Sequence, residues 1–334
     1  SFAASKVKTA LERAGLNNVR IRFEIKPKPN ALESFAITRP QPDSIVITGA
    51  DAAGAMYGGL EVAEELRIGG LDAVQADEQR PYMEMRGMKF NIPLDVRTPS
   101  YSDMGDAGQH AMEHVWDLDF WKEMIDELAG HRYNYISLWN LHPFPSLVKV
   151  PEYPDVALDD VLQSTNLNRR SFSTNAADYD QPDVLDHTVV LKKITIDEKI
   201  EFWREVMAYG KQRNIDFYFV TWNVYAYGAK GKYGISNEVH NPITVDYYRK
   251  SVEQLFLTYP DLKGIGLTTG EDMHKVSRAT KEDWAYETYG QGVLDVVKEQ
   301  PERTVTFLHR QHQAGALDIA DQFKPLINHP QVDF

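Results

Sequence analysis

The sequence predicts an α/β protein: a small α+β domain over residues 1–80, then a (β/α)8-type TIM barrel over residues 81–334, with about five to six of its strands present. Three observations predict it. From about residue 83 strand and helix signatures alternate, and several of the strands are nearly continuous apolar runs, as parallel strands buried on both faces are. No GxGxxG follows the first of these strands, which weighs against an open doubly wound sheet. Polar and aromatic residues gather at the strands' C-terminal ends, ahead of the long loops, and barrel sites are built on that face.

In the first domain, Val7, Ala10, Leu11 and Ala14 recur at helical spacing over Lys6–Ala14, and Gly15 closes the helix. Val19–Ile25 alternates as a strand with one wet face, and Ser34–Thr38 and Ser44–Thr48 are further short strands. A helix over Ala52–Leu66 carries the stripe Met56, Leu60, Ala63 and Leu66, and the polar stretch from Gly69 to Pro81 reads as a linker. The barrel strands are Met85–Phe90, Tyr135–Asn140, Asp216–Trp222, Gly264–Thr268 and Thr304–His309, and residues 329–334 open a sixth. Amphipathic helices fall near 119–130, 197–210, 246–258 and 281–299; Thr195 with Glu198 has capping-box spacing, and Thr280 precedes the last of them. Residues 152–193 form a long polar insertion after the second strand. A closed barrel needs eight strands, so the chain is expected to be part of a longer protein, with a natural six-stranded open barrel as the alternative.

With 43% hydrophobic and 25% charged residues, the composition is that of a globular protein able to bury a core. A formal net charge of −13 disfavours nucleic acid and anionic membrane as partners. The absence of cysteine excludes disulfides, thiolate metal sites and a cysteine nucleophile. No apolar run is long enough to span a membrane. The first residue is Ser, not Met, which points to a processed protein, periplasmic or secreted, with the cytoplasm left open.

The strand ends carry the candidate chemistry. In order they offer Lys89 and Asn91; Trp139, Asn140 and His142; Thr221, Trp222, Asn223 and Tyr225; Thr269, Glu271 and Asp272; and His309, Arg310 and His312. Aromatic faces stack on sugar rings while amides and carboxylates pair with hydroxyls, so this mixture suits an oligosaccharide or polysaccharide. Core packing is the competing reading of Trp139 and Trp222. In GIGLTTGED an apolar strand ends on two adjacent carboxylates. An acid kept protonated near neutrality by apolar walls can protonate a glycosidic oxygen, which makes Glu271 the candidate general acid and Asp272 a second catalytic candidate. A partner carboxylate is not placed by the sequence; Asp95 is considered, with support of the first loop as its other role. His309 and His312 have HxxH spacing without a third ligand, so a satisfied structural or a sugar-contacting histidine is the reading, and no metal and no cofactor is expected. Gly228–Lys232 lacks the GxxxxGK[ST] frame and reads as a mobile loop, and the Glu and Lys runs of the helices read as solvated faces.

The run Ile45–Asp51, with Gly54 and Tyr57-Gly58-Gly59-Leu60, resembles the small α/β domain that precedes the catalytic barrel in family 20 β-hexosaminidases and family 67 α-glucuronidases. Arg86–Asn91, the helix around Trp121–Leu128 and Tyr133-Asn134 resemble the opening of their barrel. Hexosaminidases carry Asp where Asn91 stands, Arg where Leu94 stands, and Gly-Asp-Glu where this chain has Gly270-Glu271-Asp272. The resemblance therefore implies a divergent glycosidase, closer to the α-glucuronidases in the place of its acid, with Lys89, Arg97 and Arg310 as the basic residues for a uronate. Two other functions fit the same residues. One is a carbohydrate-binding protein without catalysis. The other is a polysaccharide lyase, in which Tyr225 or His309 abstracts a proton and Arg310 neutralises a uronate.

Overall fold

In the computed structural model, which describes residues 1–100, 105–166, 182–222, 224–270, 273 and 276–334, the chain divides into two compact units. One comprises Ser1–Gly87, Glu123–Tyr135 and Tyr209–Ile215, and the other Met88–Lys122, Ile136–Ala208 and Asp216–Phe334.

The first unit begins with α1 (Phe2–Arg13), four residues earlier than expected, because Ala3 joins Val7 and Ala10 on the buried stripe. Then follow β1 (Arg20–Ile25), β2 (Phe35–Gln41), β3 (Ser44–Gly49), α2 (Ala52–Gly69) and β4 (Asp77–Gln79). The sheet order is β1-β3-β2-β4, with β1 parallel to β3 and β2 antiparallel to both β3 and β4. The stretch expected as a linker thus contains an edge strand, whose three residues are all polar and exposed and carry no apolar signal. The core joins Phe35, Ile37, Ile45 and Ile47 of the sheet to Val7 of α1 and Tyr57, Leu60 and Leu66 of α2. The glycine pair of α2 makes that packing close. A Cβ on Gly58 would stand 2.7 Å from Ile47 Cγ2, and one on Gly59 2.7 Å from the Phe23 ring. Asp51 caps α2 by accepting from Gly54 N at 2.7 Å and also accepts from Glu33 N at 2.9 Å. Arg86 is spent within this unit: it pairs with Glu33 and donates to Arg132 O at 2.8 Å.

The remaining elements are β5 (Gly87–Asn91), α3 (Gly105–Val115), α4 (Leu118–Gly130), β6 (Tyr135–Trp139), α5 (Phe144–Leu147), β7 (Val161–Ser164), α6 (Pro182–Leu185), β8 (Thr188–Lys192) and α7 (Ile196–Lys211). They continue with β9 (Asp216–Trp222), α8 (Pro242–Thr258), β10 (Leu262–Thr268), α9 (Arg278–Ala285), a π-helical turn (Tyr286–Gly290), α10 (Gln291–Glu299), β11 (Val305–Arg310), α11 (Ala316–Gln322), α12 (Lys324–Ile327) and β12 (Val332–Asp333). Among the described residues six strands form one sheet in the order β12-β11-β10-β9-β6-β5, each next to the strand of this sheet that follows it in the chain. The pairs β9/β10, β10/β11 and β11/β12 are parallel. This sequential winding separates the sheet from doubly wound folds, whose strand order reverses. Among the described residues the sheet has six strands, in keeping with the five to six expected, and it is open, so its topology does not establish a barrel. Aromatic packing fills the side under α4 and α7, where Trp121 meets Trp203 at 5.2 Å and Phe90 at 5.7 Å.

Three local expectations are adjusted. The insertion over 152–193 is not structureless, because β7 and β8 pair as an antiparallel ladder. Helix α9 is capped by Ser277, whose side chain accepts from Thr280 N, so Thr280 lies inside the helix. Residues 228–232 fold into successive turns, with Ala229 buried and Lys232 donating to Asp155 O at 2.9 Å. The Thr195–Glu198 capping box is present: Thr195 N donates to Glu198 Oε2 at 2.7 Å and Glu198 N to Thr195 Oγ1 at 3.2 Å. No helix among the described residues is long and apolar enough to cross a membrane.

Candidate functional site

The C-terminal end of β5 presents Lys89 and Asn91 on one side of the strand, two residues apart. Across from them, β6 ends in Trp139 and β9 in Trp222. The two indoles meet edge to face, with centroids 4.7 Å apart at 67°. Lys89 Nζ stands 4.3 Å from the Trp139 ring and 5.4 Å from that of Trp222, an ammonium held over two π faces. Trp222 is 1% exposed and packs with Leu141 and Tyr227, so for it the core reading holds. Trp139 is only partly buried; its Nε1 donates to Ser137 Oγ at 2.9 Å, which fixes the ring plane. Nearby Asn91 Oδ1 is buried with no hydrogen-bond partner among the described residues. Tyr225 is partly buried, and its ring lies 5.4 Å from that of Tyr227.

Two residues read as sugar contacts turn inward instead. Asn140 is fully buried: Nδ2 donates to Ile92 O at 2.8 Å and Thr98 O at 2.9 Å, and Oδ1 accepts from His142 N at 2.9 Å. It ties the end of β6 to the loop after β5 and has nothing left for a ligand. His142 is equally buried, with Nδ1 2.6 Å from Tyr227 O and Nε2 3.2 Å from the Tyr247 hydroxyl. Burial pushes its pKa down to about 4, so the ring is neutral and structural. Asp95 is likewise consumed. Oδ1 accepts from Arg97 N and Nε at 2.8 and 2.7 Å, and Oδ2 from Arg97 Nη2 at 2.9 Å and Leu162 N at 2.7 Å. That arrangement engages both oxygens of Asp95, which removes it as a partner carboxylate, and Arg97, which also donates from Nη2 to Asp159 O and Asp160 O, is held in the same loop contact rather than offered to a uronate.

At the other side of the sheet, β10 and β11 run in register, Leu267 beside His309 and Thr268 beside Arg310. Arg310 is exposed. The His309 side chain is 1% exposed, and its Nε2 lies 2.7 Å from Glu282 Oε2. Held in this way it is closed to substrate, so the expected sugar contact and the role of lyase base both fall away. Glu282 Oε1 accepts from Thr269 Oγ1 at 2.9 Å. Lys281, beside it on α9, donates to Gly270 O at 3.4 Å and Gln313 Oε1 at 3.3 Å. Lys281 and Glu282 are 5% and 1% exposed, not the solvated helix face expected of them. The signal was present: Lys281 precedes Trp284 and Ala285 by three and four residues, on the stripe those two bury. No group of three or more His, Asp and Glu side chains among the described residues could hold a metal ion. Glu271, Asp272 and Asn223 lie outside the described residues; the chain runs from Gly270 directly into Glu271.

No protein-family model and no curated protein matches the sequence. Among solved structures the chain is similar to a family 138 glycoside hydrolase described as targeting pectin rhamnogalacturonan II, with a TM-score of 0.73 and 20% identity over 99% of this chain and 45% of that one. It is also similar to a family 20 β-N-acetylglucosaminidase (TM-score 0.57, 17% identity, 92% of this chain and 60% of that one). A third likeness is to the family 20 β-N-acetylhexosaminidase of Streptomyces coelicolor A3(2), with a TM-score of 0.53 and 14% identity over 97% of this chain and 67% of that one. The chain spans about half the length of the first two. At these identities the likeness shows the fold alone: the chain is folded as the corresponding part of these glycoside hydrolases is.

Proposed function

We propose that this chain carries the substrate-binding strand ends and the general acid, Glu271, of a glycoside hydrolase acting on a complex carbohydrate. Residues 1–80 would be the small accessory domain and 81–334 part of the catalytic one. The observation that carries the reading is the set of Lys89, Trp139 and Trp222 at the strand ends of a sheet whose fold is shared with carbohydrate hydrolases. The partly buried Trp139 keeps some exposure, which offers a face for a pyranose ring. Lys89 beside it supplies a cation for a uronate carboxylate, which favours an acidic glycan, either pectic or of the α-glucuronidase kind. Arg310, exposed at the end of β11, is the second basic candidate. Such glycans are met outside the cytoplasm, in keeping with a periplasmic or secreted protein.

A general acid alone does not complete the chemistry. Hydrolysis uses a second carboxylate or a substrate group in its place, and Asp95 is too fully engaged to serve. That engagement favours, as a second reading, a binding protein that retains the aromatic platform without turnover.

One experiment separates them. The full-length protein is assayed on rhamnogalacturonan II oligosaccharides and on a panel of 4-nitrophenyl glycosides that includes the α-glucuronide and the N-acetyl-β-glucosaminide. The hydrolase reading expects sugar release that falls about 100- to 10,000-fold in Glu271→Gln, the range for loss of a general acid. Unchanged turnover in that variant removes Glu271 from the mechanism. Binding by calorimetry without release establishes the binding protein instead.

A further inference from the structure

Two adjacent side chains of α9 reach the end of β10 out of contact with solvent. Glu282 joins Thr269 to His309 through its two carboxylate oxygens, at 2.9 and 2.7 Å. Lys281 reaches the carbonyl of the next residue, Gly270, and the side chain of Gln313. Packing alone does not call for this. Burying an acid and a base is costly, and apolar side chains of similar volume hold a helix to a sheet as well or better. Hydrogen bonds add direction, and here they converge on two consecutive residues. Gly270 has φ +110°, and a Cβ on it would stand 2.9 Å from Gln313 Cβ and 3.0 Å from His312 O. The exit from β10 is therefore set by α9, by β11 through His309, and by the loop that follows β11.

We infer that Lys281 and Glu282 are positioning residues, which fix Thr269 and the backbone of Gly270, the two residues that precede Glu271 in the chain. Glu282 is not itself a reacting group, because both its oxygens accept from protein donors and its side chain is 2% exposed. The inference rests on the hydrolase reading of Glu271.

The test combines two measurements on the full-length protein. A carboxylate has two acceptor oxygens and an alkyl side chain none, so Glu282→Leu leaves both Thr269 and His309 without this partner. Amide hydrogen exchange of the peptide over residues 262–273, read by mass spectrometry, should become at least about tenfold faster in Glu282→Leu, as local opening requires. On rhamnogalacturonan II oligosaccharides, or the aryl glycoside turned over fastest, kcat should fall about 10- to 100-fold, the cost of misplacing a reacting group by about 1 Å, with KM within about twofold of the parent. Thr269→Val, nearly the same shape, deletes one hydrogen bond and should move both readouts the same way by less, which guards against simple unfolding of the first variant. Exchange unchanged in both variants overturns the inference without any substrate. A loss confined to KM, or a parental kcat in both while Glu271→Gln is inactive, overturns it and leaves the hydrolase reading standing. Turnover retained in Glu271→Gln is the separate result that defeats the hydrolase reading.

Discussion

His142 shows how residue type misleads when its surroundings are unknown. A histidine two residues past a tryptophan at a strand end reads as a sugar ligand, yet its ring is buried between Tyr227 O and Tyr247 and held neutral. Burial lowers its folded pKa to about 4 from the ordinary 6.5. Between those two values the unfolded chain binds a proton that the folded chain refuses, so stability falls as pH drops through that window. The loss should approach about 3 kcal/mol near pH 4, and His142→Gln should flatten the slope by about one proton. Urea unfolding at pH 7 and pH 5 measures it; equal pH dependence in parent and variant would contradict the neutral ring. What sequence conveyed at this scale was which residue types gather at the strand ends. It could not convey direction. Asn140 and His142 turn in, while Lys281 and Glu282, read as solvent-facing charge, are buried beneath the end of β10. One residue of rotation separates these outcomes, and partners distant in the chain decide it.

At the level of elements, apolar runs located β6, β9, β10 and β11 and the helices between them, because their burial follows their own pattern, and the strand-helix rhythm located the more exposed β5. The elements it missed lack such a pattern. β4 is Asp-Glu-Gln held only by its ladder to β2, and β7 and β8 stabilise one another inside a polar insertion. Helix starts were legible where the capping residue is adjacent and obscured where a second candidate stood near, as with Ser277 and Thr280. α8 carries a strong cap that was passed over. Asn241 Oδ1 accepts from Ile243 N at 2.9 Å, and its Nδ2 donates to Gly234 O at 2.8 Å and Ser236 Oγ at 2.9 Å. Asn241→Ala should cost about 1–2 kcal/mol in chemical denaturation, and Asn241→Asp, which keeps the acceptor but not the donors, should cost less. Equal losses in the two would mean that the tie to Gly234 and Ser236, rather than the cap, carries the energy.

Over the whole molecule the net charge of −13 sets how a ligand arrives. A polyanionic pectic oligosaccharide, the class of substrate proposed, would be repelled at long range and attracted close to basic side chains such as Lys89 and Arg310. Its association rate should therefore rise as salt is raised from about 10 to about 150 mM, while the screening length shrinks from about 30 to about 8 Å. A neutral chitin oligomer of equal length should associate at a rate independent of salt. Stopped-flow tryptophan fluorescence follows both, and a rate for the pectic ligand that declines with salt would show that local cations outweigh the global field. The order of the six-stranded sheet bears on how the chain is made. Each inner strand bonds to the strands of this sheet that precede and follow it in the chain, while β7 and β8, made between β6 and β9, pair only with each other. On the ribosome, each newly emerged strand of this sheet would find its template already in place and cover the margin its predecessor left open, so that beside the standing edge at β5 only one growing margin would wait at a time.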